Sequence, residues 1–373
     1  MVSDPVSLDP DGLTGYQGHR AATTDSKGSF MDNPLAWRPP AINTGSWLTG
    51  YSLNALLDRV GTDRIVLPIC SLGTPFDDLA SLAPLVLPPL YHEALDSGLR
   101  TELLDRIGEC FPFYSGTRRA GEATFDVVEL PPTQHPPCGP LGQVVTFSVD
   151  TAVEEHGPHL PLATDTLQSY AVLERLAAER DGVVIAPPVD YGQLTWGLPF
   201  GMSIDITAAL LTRYVTGFAN AIVDWLQPAA AYVVDVHGSI VHRTAIQDGL
   251  AASNVDRWSF RWLHDPLVAL SGDRGDQHAG GVETALIEWI NPALIDADWW
   301  PARRDELLAA QMSLSDAVSL SSDLTAFIER VEHVGLNGIV GGLENYDAVE
   351  GTDLAERVLE VARGDLEELF WTR

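Results

Sequence analysis

A nearly continuous apolar run, Ala229-Ala-Ala-Tyr-Val-Val-Asp-Val236, constrains the fold of this chain more than any other feature. Such runs are typical of strands that are buried on both faces of a parallel sheet. Other strand-like and helical stretches alternate around it, the strands at 143–149, 183–186 and 258–262 and the helices at 165–180, 207–226 and 282–290. This alternation predicts a three-layer α/β fold with a mostly parallel central sheet and helices on both faces.

Composition divides the chain into four segments. Residues 1–45 are rich in Gly, Ser, Asp and Pro without periodicity, and we expect a flexible arm. Residues 46–130 predict an N-terminal α/β extension domain, with helices near 52–60 and 98–108 and strands at 64–69 and 123–129. Five prolines in residues 131–140 predict a linker. Residues 141–373 then form the main domain.

The net charge of −30 excludes two kinds of partner. Nucleic-acid binding requires a cationic face, and anionic membranes repel an acidic protein, so we expect neither partner. Solubility explains the charge. The three cysteines form no CxxC pair, which predicts neither a disulfide framework nor a thiolate zinc site. Because no leader and no apolar run of about 18 residues occurs, we expect a soluble, cytoplasmic protein.

The segment Glu154-Glu-His-Gly-Pro-His-Leu-Pro-Leu-Ala-Thr-Asp165 follows a predicted strand. In an extended chain, Glu154 and His156 point to the same face. A carboxylate and an imidazole at a strand end suit a divalent metal such as zinc, manganese or iron. Asp165 begins the next helix, where its carboxylate could bridge two ions. From spacing alone, an N-capping Asp165 and a surface Glu154 explain the pattern better.

Two later segments carry further candidates. His237 ends the apolar run and faces the crevice where ligands gather, or it is a hydrogen-bonded core histidine. His278 lies on a Gly-rich turn that enters a helix, where a pKa near neutrality suits a proton donor or acceptor. Glu283 follows on that helix, and it is either a catalytic residue or a first-turn glutamate favoured by the helix dipole.

Taken together, these segments resemble the motifs of the creatininase family. Residues 154–165 resemble its E-x-H-G-P-H-L-P-x-x-x-D motif, and 235–238 resemble its N-G-H-G strand end. Residues 189–199 resemble its substrate loop, Y-G followed by F-P-G-T. Residues 278–295 resemble its H-A-G-x-x-E-T-S and P-x-L-V stretch. The four segments occur in the family's order over the C-terminal ~230 residues, the main domain.

The resemblance implies a metal-dependent amidohydrolase that cleaves a non-peptide or cyclic amide or amidine C–N bond of a small molecule. It also implies one or two divalent ions per chain, Zn, Mn or Fe. Glu154, Asp165 and His237 would hold one ion, and His156 with Asp165 the second. His278 would be the proton donor, with Glu283 as a further catalytic residue, and His159 would shape the site. We expect a homo-oligomer.

Several positions depart from the family pattern. Relatives supply another carboxylate for the second ion at the positions of Ser239 or Gly281, and neither residue can serve. The second site is then empty, filled by water, or completed by Asp276, Asp235 or His242. Asp276 is the first choice as a ligand, and its alternative is a solvated loop residue. The departures, which include Ile240 in place of an asparagine, leave a second interpretation open. Under it, the chain is a non-catalytic partner subunit or an enzyme of non-hydrolytic chemistry.

Aromatic residues and the N-terminal region complete the predictions. Tyr191, Trp196 and Trp262 are candidates for binding a flat or apolar substrate, although core packing explains them equally. Residues 67–71 and 86–91 echo the family's first strand and the strand that leads into its substrate loop. The N-terminal domain is therefore either a degenerate, ligand-free copy of part of the main domain or an unrelated cap or oligomerisation domain.

Overall fold

The residues that the structure describes form two sheets, in which all paired strands run parallel. The computed structural model describes residues 65–371 apart from 75–77, 80–81, 83–84, 111–124, 134–142, 196, 202, 271–277, 314, 317–322, 324, 327–328 and 331–337. Outside the described residues lie the predicted arm, the predicted helix near 52–60, most of the predicted linker, Trp196 and Asp276.

The N-terminal sheet is centred on β1 (Ile65–Cys70). Its other elements are β2 (Leu85–Val86), β3 (Leu90–Tyr91), helix α1 (Ser97–Cys110) and β4 (Asp126–Glu129). β2 and β3 both pair with β1, as does β4. Leu99, Leu103 and Ile107 recur every four residues along α1 and are buried, as in an amphipathic helix. That these elements form a separate domain stays a prediction.

The C-terminal sheet has the strand order β6-β5-β7-β8. Its elements follow as β5 (Val144–Ser148), α2 (Thr164–Glu179), β6 (Val183–Ile185), α3 (Ala208–Leu226), β7 (Ala230–Asp235), α4 (Ile240–Ala251), β8 (Trp258–Trp262), α5 (Gly281–Ile290), α6 (Arg304–Ala310) and α7 (Gly351–Trp371). Short 3₁₀ turns cover His92–Ala94, Leu198–Phe200, Asp265–Leu267, Pro292–Leu294 and Leu343–Ala348.

Helices cover both faces of this sheet, which confirms the predicted three-layer α/β fold. Successive residues of a strand point to opposite faces. Along β7, Ala231 and Val233 join a core with α3 and α4, whereas Tyr232 and Val234 join a core with α2, α5 and α7. The first of these cores also contains the apolar residues of β1 and α1, so the N-terminal sheet packs onto the α3 side.

Local sequence explains where α3 begins and ends. The Thr207 side chain accepts a hydrogen bond from the Leu210 amide and caps the N-terminus. Gln227 adopts a left-handed conformation (φ 46°) and ends the helix directly before a proline. Among the described residues, neither α3 nor any other helix combines the length and apolar character needed to cross a membrane.

Candidate metal centre

The predicted ligands meet at the carboxyl ends of β5 and β7. Glu154 and His156 lie in the loop after β5, and Asp165 lies in the first turn of α2. His237 follows β7 by two residues. All four side chains are at most 2% exposed. Burial removes the surface alternative for Glu154, and Ala163 rather than Asp165 is the N-cap of α2.

Glu154, Asp165 and His237 form a first group of donors. One ligand atom from each lies within 4.8 Å of the others. The Nδ1 atom of His237 is 2.9 Å from Glu154 Oε2 and 3.4 Å from Asp165 Oδ2. The Thr151 hydroxyl contacts both carboxylates and lies 2.8 Å from Asp165 Oδ2. Since one hydroxyl carries one proton, Thr151 can donate to only one carboxylate at a time.

His156, Asp165 and Glu283 form a second group within the same 4.8 Å limit. The Nε2 atom of His156 is 3.3 Å from Asp165 Oδ1, so Asp165 presents one oxygen to each group. Glu283 lies in the first turn of α5 and is 8% exposed. Its Oε2 atom accepts a hydrogen bond from the Ala279 amide at 2.5 Å. Glu283 therefore brings a third donor to the position that the sequence left with two.

Backbone carbonyls fix the orientation of three imidazoles. His156 Nδ1 is 3.1 Å from the Glu154 carbonyl, and His237 Nε2 is 3.1 Å from the Gln193 carbonyl. His278 Nε2 is 2.7 Å from the Glu155 carbonyl. A carbonyl can only accept, so each of these nitrogens carries the proton. In the neutral imidazole, the other nitrogen then presents its lone pair to the carboxylates, which is the usual arrangement of metal-binding histidines.

A left-handed residue follows each of these three histidines. Gly157 has φ 70°, Gly238 has φ 75° and Ala279 has φ 51°. In each case the left-handed residue changes the direction of the backbone directly after the histidine. Glycine adopts this conformation without strain, whereas alanine does not. Strain at a non-glycine residue is typical of functional sites, and Ala279 lies between His278 and the turn that brings Glu283 to the cluster.

The charges of the cluster are strongly coupled. Burial alone would lower the pKa of His156, but the neighbouring carboxylates, Asp165 first, raise it to about 10. Burial would raise the pKa of Asp165, yet His156 and His237 hold it well below its usual range. Burial raises the pKa of Glu154. The buried carboxylates thus demand positive charge between them, which either protons or metal ions can supply.

The residues present fit a pair of divalent ions. Among the residues that the structure describes, Glu154 Oε1 and His156 Nε2 have no hydrogen-bond partner. Buried polar atoms are almost always bonded, and these two belong to the donor groups described above. Each group offers three nitrogen and carboxylate donors, the number that catalytic zinc sites keep. Mixed imidazole and carboxylate donors suit zinc, manganese or iron, as the sequence predicted.

His278 lies beside both donor groups, and with Glu154 and His156 it forms a third set of candidate donors within the same 4.8 Å limit. Its Nδ1 atom is 3.8 Å from Glu154 Oε1, and its ring centroid is 4.4 Å from that of His156. Phe200 stacks with the same ring, with centroids 6.3 Å apart and 16° between planes. Burial and then the nearby His156 hold the pKa of His278 well below its usual value. His278 is therefore a neutral imidazole whose Nδ1 can accept a proton.

The remaining predicted residues lie outside the two groups. Tyr191 is 1% exposed, and its hydroxyl donates to the Pro88 carbonyl at 2.7 Å. The Trp262 indole donates to the Val236 carbonyl at 2.9 Å, next to His237. Substrate binding by Tyr191 and Trp262 stays a prediction. His159 is buried and bonds Thr284 Oγ1 at 3.0 Å, in keeping with a shaping residue.

The two alternatives for the second group, His242 and Asp235, belong to none of the donor groups, and the two departures from the family pattern have structural reasons. His242 uses both ring nitrogens, on the Gln193 amide and the Val149 carbonyl, and Asp235 accepts from the His237 amide, outside both donor groups. Ser239 caps α4. A side chain at Gly281 would place its Cβ 2.9 Å from the Tyr346 amide nitrogen. Tight packing therefore requires glycine there.

Sequence reasoning missed three contributors to the site. The Thr151 hydroxyl precedes the ligand motif, and only the fold shows that it reaches Glu154 and Asp165. The carbonyls of Gln193 and Glu155 orient histidines from distant parts of the chain. Backbone carbonyls leave no signal in a sequence, so no pattern could have identified them. For Glu283 the sequence predicts a catalytic role, whereas the structure groups it with His156 and Asp165 as a candidate ligand.

A family model described as creatinine amidohydrolase matches residues 150–363. Two curated relatives are mycofactocin precursor peptide peptidases. That of Mycobacterium ulcerans (strain Agy99) is 28% identical over 212 residues, which cover 54% of this chain and 75% of the relative. That of Mycolicibacterium smegmatis (strain ATCC 700084 / mc(2)155) is 30% identical over 146 residues, which cover 38% of this chain and 56% of the relative.

Solved structures of creatininases are also similar to this chain. A mutant creatininase complexed with creatine has a TM-score of 0.45 at 15% identity and aligns over 62% of this chain and 93% of its own. A manganese creatininase has a TM-score of 0.45 at 17% identity, over 62% and 92% of the two chains.

Proposed function

The chain belongs to the creatininase family, and we propose that it is a hydrolase that uses two divalent metal ions to cleave an amide C–N bond. One observation carries the proposal. Two groups of three buried donors share Asp165, which offers one oxygen to each. A carboxylate between two ions is suited to hold them at the short separation that two-metal hydrolases use.

Five side chains would hold the ions, Thr151 would orient the carboxylates, and His278 would move protons. Glu154, Asp165 and His237 would hold the first ion, and His156, Asp165 and Glu283 the second. Such ions, when bound, lower the pKa of a coordinated water and polarise the carbonyl under attack. Thr151 would orient the carboxylates, since its hydroxyl reaches both Glu154 and Asp165.

His278 would carry the proton between water and the leaving nitrogen. Its Nε2 proton is committed to the Glu155 carbonyl, so Nδ1 is the atom that exchanges a proton. Because burial lowers its pKa, the ring is neutral at rest and would first have to accept a proton at Nδ1, and the protonated ring would then donate it readily to the departing nitrogen. Phe200, which stacks with the ring, would help to hold its orientation.

Two substrate classes are compatible with this chemistry. The sequence predicts a small cyclic or non-peptide amide, the class suggested by the description of the family model. The curated relatives are named for cleaving a precursor peptide, which favours a peptide amide as the second candidate. Hydrolysis of either amide needs the same attack on a carbonyl carbon, so the metal centre serves both.

The alternative of a non-catalytic partner subunit depended on the missing ligand of the second ion. Glu283 supplies a third donor there, and this argues against the loss of the site. In a subunit without metal, protonated histidines would have to balance these buried carboxylates, and buried ion pairs of this kind add little stability because desolvation offsets their attraction.

A reconstitution assay tests the proposed function. The chelated protein is reloaded with Zn²⁺, Mn²⁺ or Fe²⁺ and incubated with creatinine and with a panel of short peptides, and products are identified by mass spectrometry. We expect metal-dependent amide hydrolysis that Asp165→Asn abolishes, because that variant weakens both sites. Hydrolysis that persists in Asp165→Asn or after chelation would contradict the proposal.

A further inference from the structure

The N-terminal sheet repeats the strand arrangement of the sheet that carries the metal centre. β1 lies between β3 and β4, just as β5 lies between β6 and β7. All of these pairs are parallel. Along the chain, α1 lies between β3 and β4, and α3 lies correspondingly between β6 and β7.

β2 and β3 pair with β1 one after the other, and the pairing register shifts by one residue between them. Val66 pairs with Val86, a separation of 20 residues (86 − 66), whereas Ile69 pairs with Leu90, a separation of 21 (90 − 69). The extra residue falls within the segment that contains the prolines at 88–89. Such a shift is a local departure from regular pairing that a random arrangement of strands does not reproduce.

The strand that pairs with β5 contains the same shift. Thr146 pairs with Ile185, a separation of 39 residues (185 − 146), whereas Val149 pairs with Val189, a separation of 40 (189 − 149). The extra residue again falls within a segment that contains two prolines, at 187–188. Topology, register and Pro-Pro position therefore coincide in the two units.

The two units also exchange equivalent contacts. Arg106 on α1 reaches Asp205, in the loop that follows β6. In return, Gly217 on α3 packs against Ala94, in the turn that follows β3, so closely that any Cβ would overlap the Ala94 carbonyl. Reciprocal contacts of this kind are typical of a twofold interface. The N-terminal unit thus covers α3 as a partner subunit would.

The copy carries no counterpart of the ligand segment. Residues 71–84 join β1 to β2, whereas 149–182 join β5 to β6 and contain Glu154, His156 and Asp165. The shorter connection holds neither a histidine nor a glutamate. Among the described residues of the N-terminal unit, none belongs to a candidate metal-binding group, so we look for its contribution in its contacts.

Arg106 makes the most specific of these contacts. Its Nε–H donates to the Asp205 carbonyl at 3.0 Å, and its Nη2 donates to the carboxylate of the same residue. The Asp205 side chain is 2% exposed. Its other oxygen, Oδ1, accepts a hydrogen bond from the Leu194 amide at 2.6 Å. Arg106 therefore neutralises a buried carboxylate that ties together the two ends of the loop 193–205.

This loop supports the metal centre at three points. The Gln193 carbonyl holds His237 Nε2 at 3.1 Å, and the Ser203 hydroxyl accepts from the Glu155 amide at 3.0 Å. Phe200 stacks on His278. A displacement of the loop would therefore change the orientation of both histidines.

We propose that the N-terminal unit is a ligand-free copy of the unit that bears the metal centre, and that it positions the loop 193–205 through Arg106. Arg106 is a positioning residue that acts through Asp205. The consequence for metal binding rests on the proposed function, whereas the effect on the loop does not.

The test uses the full chain with Arg106→Met and a matched control, Arg213→Met. Arg213 pairs with Glu102 at 2.7 Å and so also links α3 to α1, without touching the loop. Amide hydrogen exchange is followed in peptides that cover 193–206 and in α7. We expect roughly tenfold faster exchange in 193–206 for Arg106→Met, with α7 and the control unchanged.

Titration with Co²⁺, followed by visible absorption, gives a second readout. We expect weaker Co²⁺ binding in Arg106→Met than in Arg213→Met, and partial recovery in Arg106→Lys. Exchange in 193–206 that matches the control would overturn the proposal. If Arg106→Met also accelerates exchange in α7, its effect is not local, and the milder Arg106→Lys is used instead. Its exchange in 193–206 is then compared with that of Arg213→Met, and equal exchange would overturn the proposal. If the unmodified protein binds no Co²⁺, the proposed function fails while the exchange result still decides the loop.

Discussion

The Nδ1 atom of His237 lies 2.9 Å from the Oε2 atom of Glu154, and both atoms are buried. The Nε2 proton of His237 is committed to the Gln193 carbonyl, so a neutral His237 would present a lone pair to a carboxylate. Such a contact requires either a second proton on the ring or a cation nearby. This relationship, repeated between His156 and Asp165, is the physical basis of the proposed metal centre.

Metal binding is expected to release protons. In the metal-free protein the neighbouring carboxylates, against the effect of burial, raise the pKa of His156 to about 10 and that of His237 well above its usual value. Both rings are then imidazolium near pH 7, and each must lose a proton to bind an ion. Affinity should therefore increase as pH rises from 6 to 9.

Calorimetry measures this release directly. The heat of Zn²⁺ binding is compared in buffers of different ionisation enthalpy at pH 7, and the slope gives the number of protons released. We expect a release of more than one proton for two ions bound. An observed heat independent of the buffer would show that the histidines are already neutral.

Replacement of His278 should separate catalysis from metal binding. We expect His278→Ala to retain its ions and to lose roughly 10²–10⁴ in turnover of the substrate found by the reconstitution assay, because proton transfer is removed. His264→Ala is the matched control, since His264 is a histidine outside the donor groups that bonds Gln168 Oε1 at 2.9 Å. Loss of an ion from His278→Ala would instead identify His278 as a ligand.

The left-handed conformation of Ala279 predicts that substitution by glycine costs little stability. Ala279→Gly removes about 1–2 kcal/mol of strain, adds about 0.4–1 kcal/mol of unfolded-state entropy cost and loses a fully buried methyl worth about 0.8 kcal/mol. The free energy of unfolding of the metal-free protein should therefore change by less than about 1 kcal/mol in urea denaturation. Ala285→Gly, within α5, removes a buried but unstrained alanine and should lower the free energy of unfolding by about 1–2 kcal/mol. A loss in Ala279→Gly as large as that in Ala285→Gly would show that Ala279 is unstrained.

The sequence predicted those parts of the fold that follow from local pattern. The run at 229–236 became β7, and the helical periodicity at 207–226 became α3 within one residue at its start. Helix α4 was not predicted. Its apolar residues do not all lie on the buried face. Ile240 and Val241, in its first turn, are 73% and 53% exposed. The apolar pattern of the sequence therefore does not show which face of α4 is buried.

The identity of the candidate ligands was more predictable than their grouping. Motif order identified Glu154, His156, Asp165 and His237, which the fold brings together. It did not place Glu283 beside His156, because they lie far apart along the chain and meet only when α5 packs against α2. A glutamate at position 281, a substitution that family resemblance would suggest, is incompatible with the packing of Gly281 against Tyr346.

Elemental analysis of the purified protein, together with two variants, tests the central claim most directly. We expect two divalent ions per chain in the unmodified protein. His237→Ala should lose the first ion, and the isosteric Glu283→Gln should lose the second while keeping the first, because each removes one of three donors. An unmodified protein without bound metal after reloading with Zn²⁺, Mn²⁺ or Fe²⁺, or a Glu283→Gln variant that keeps two tightly bound ions, would contradict this account.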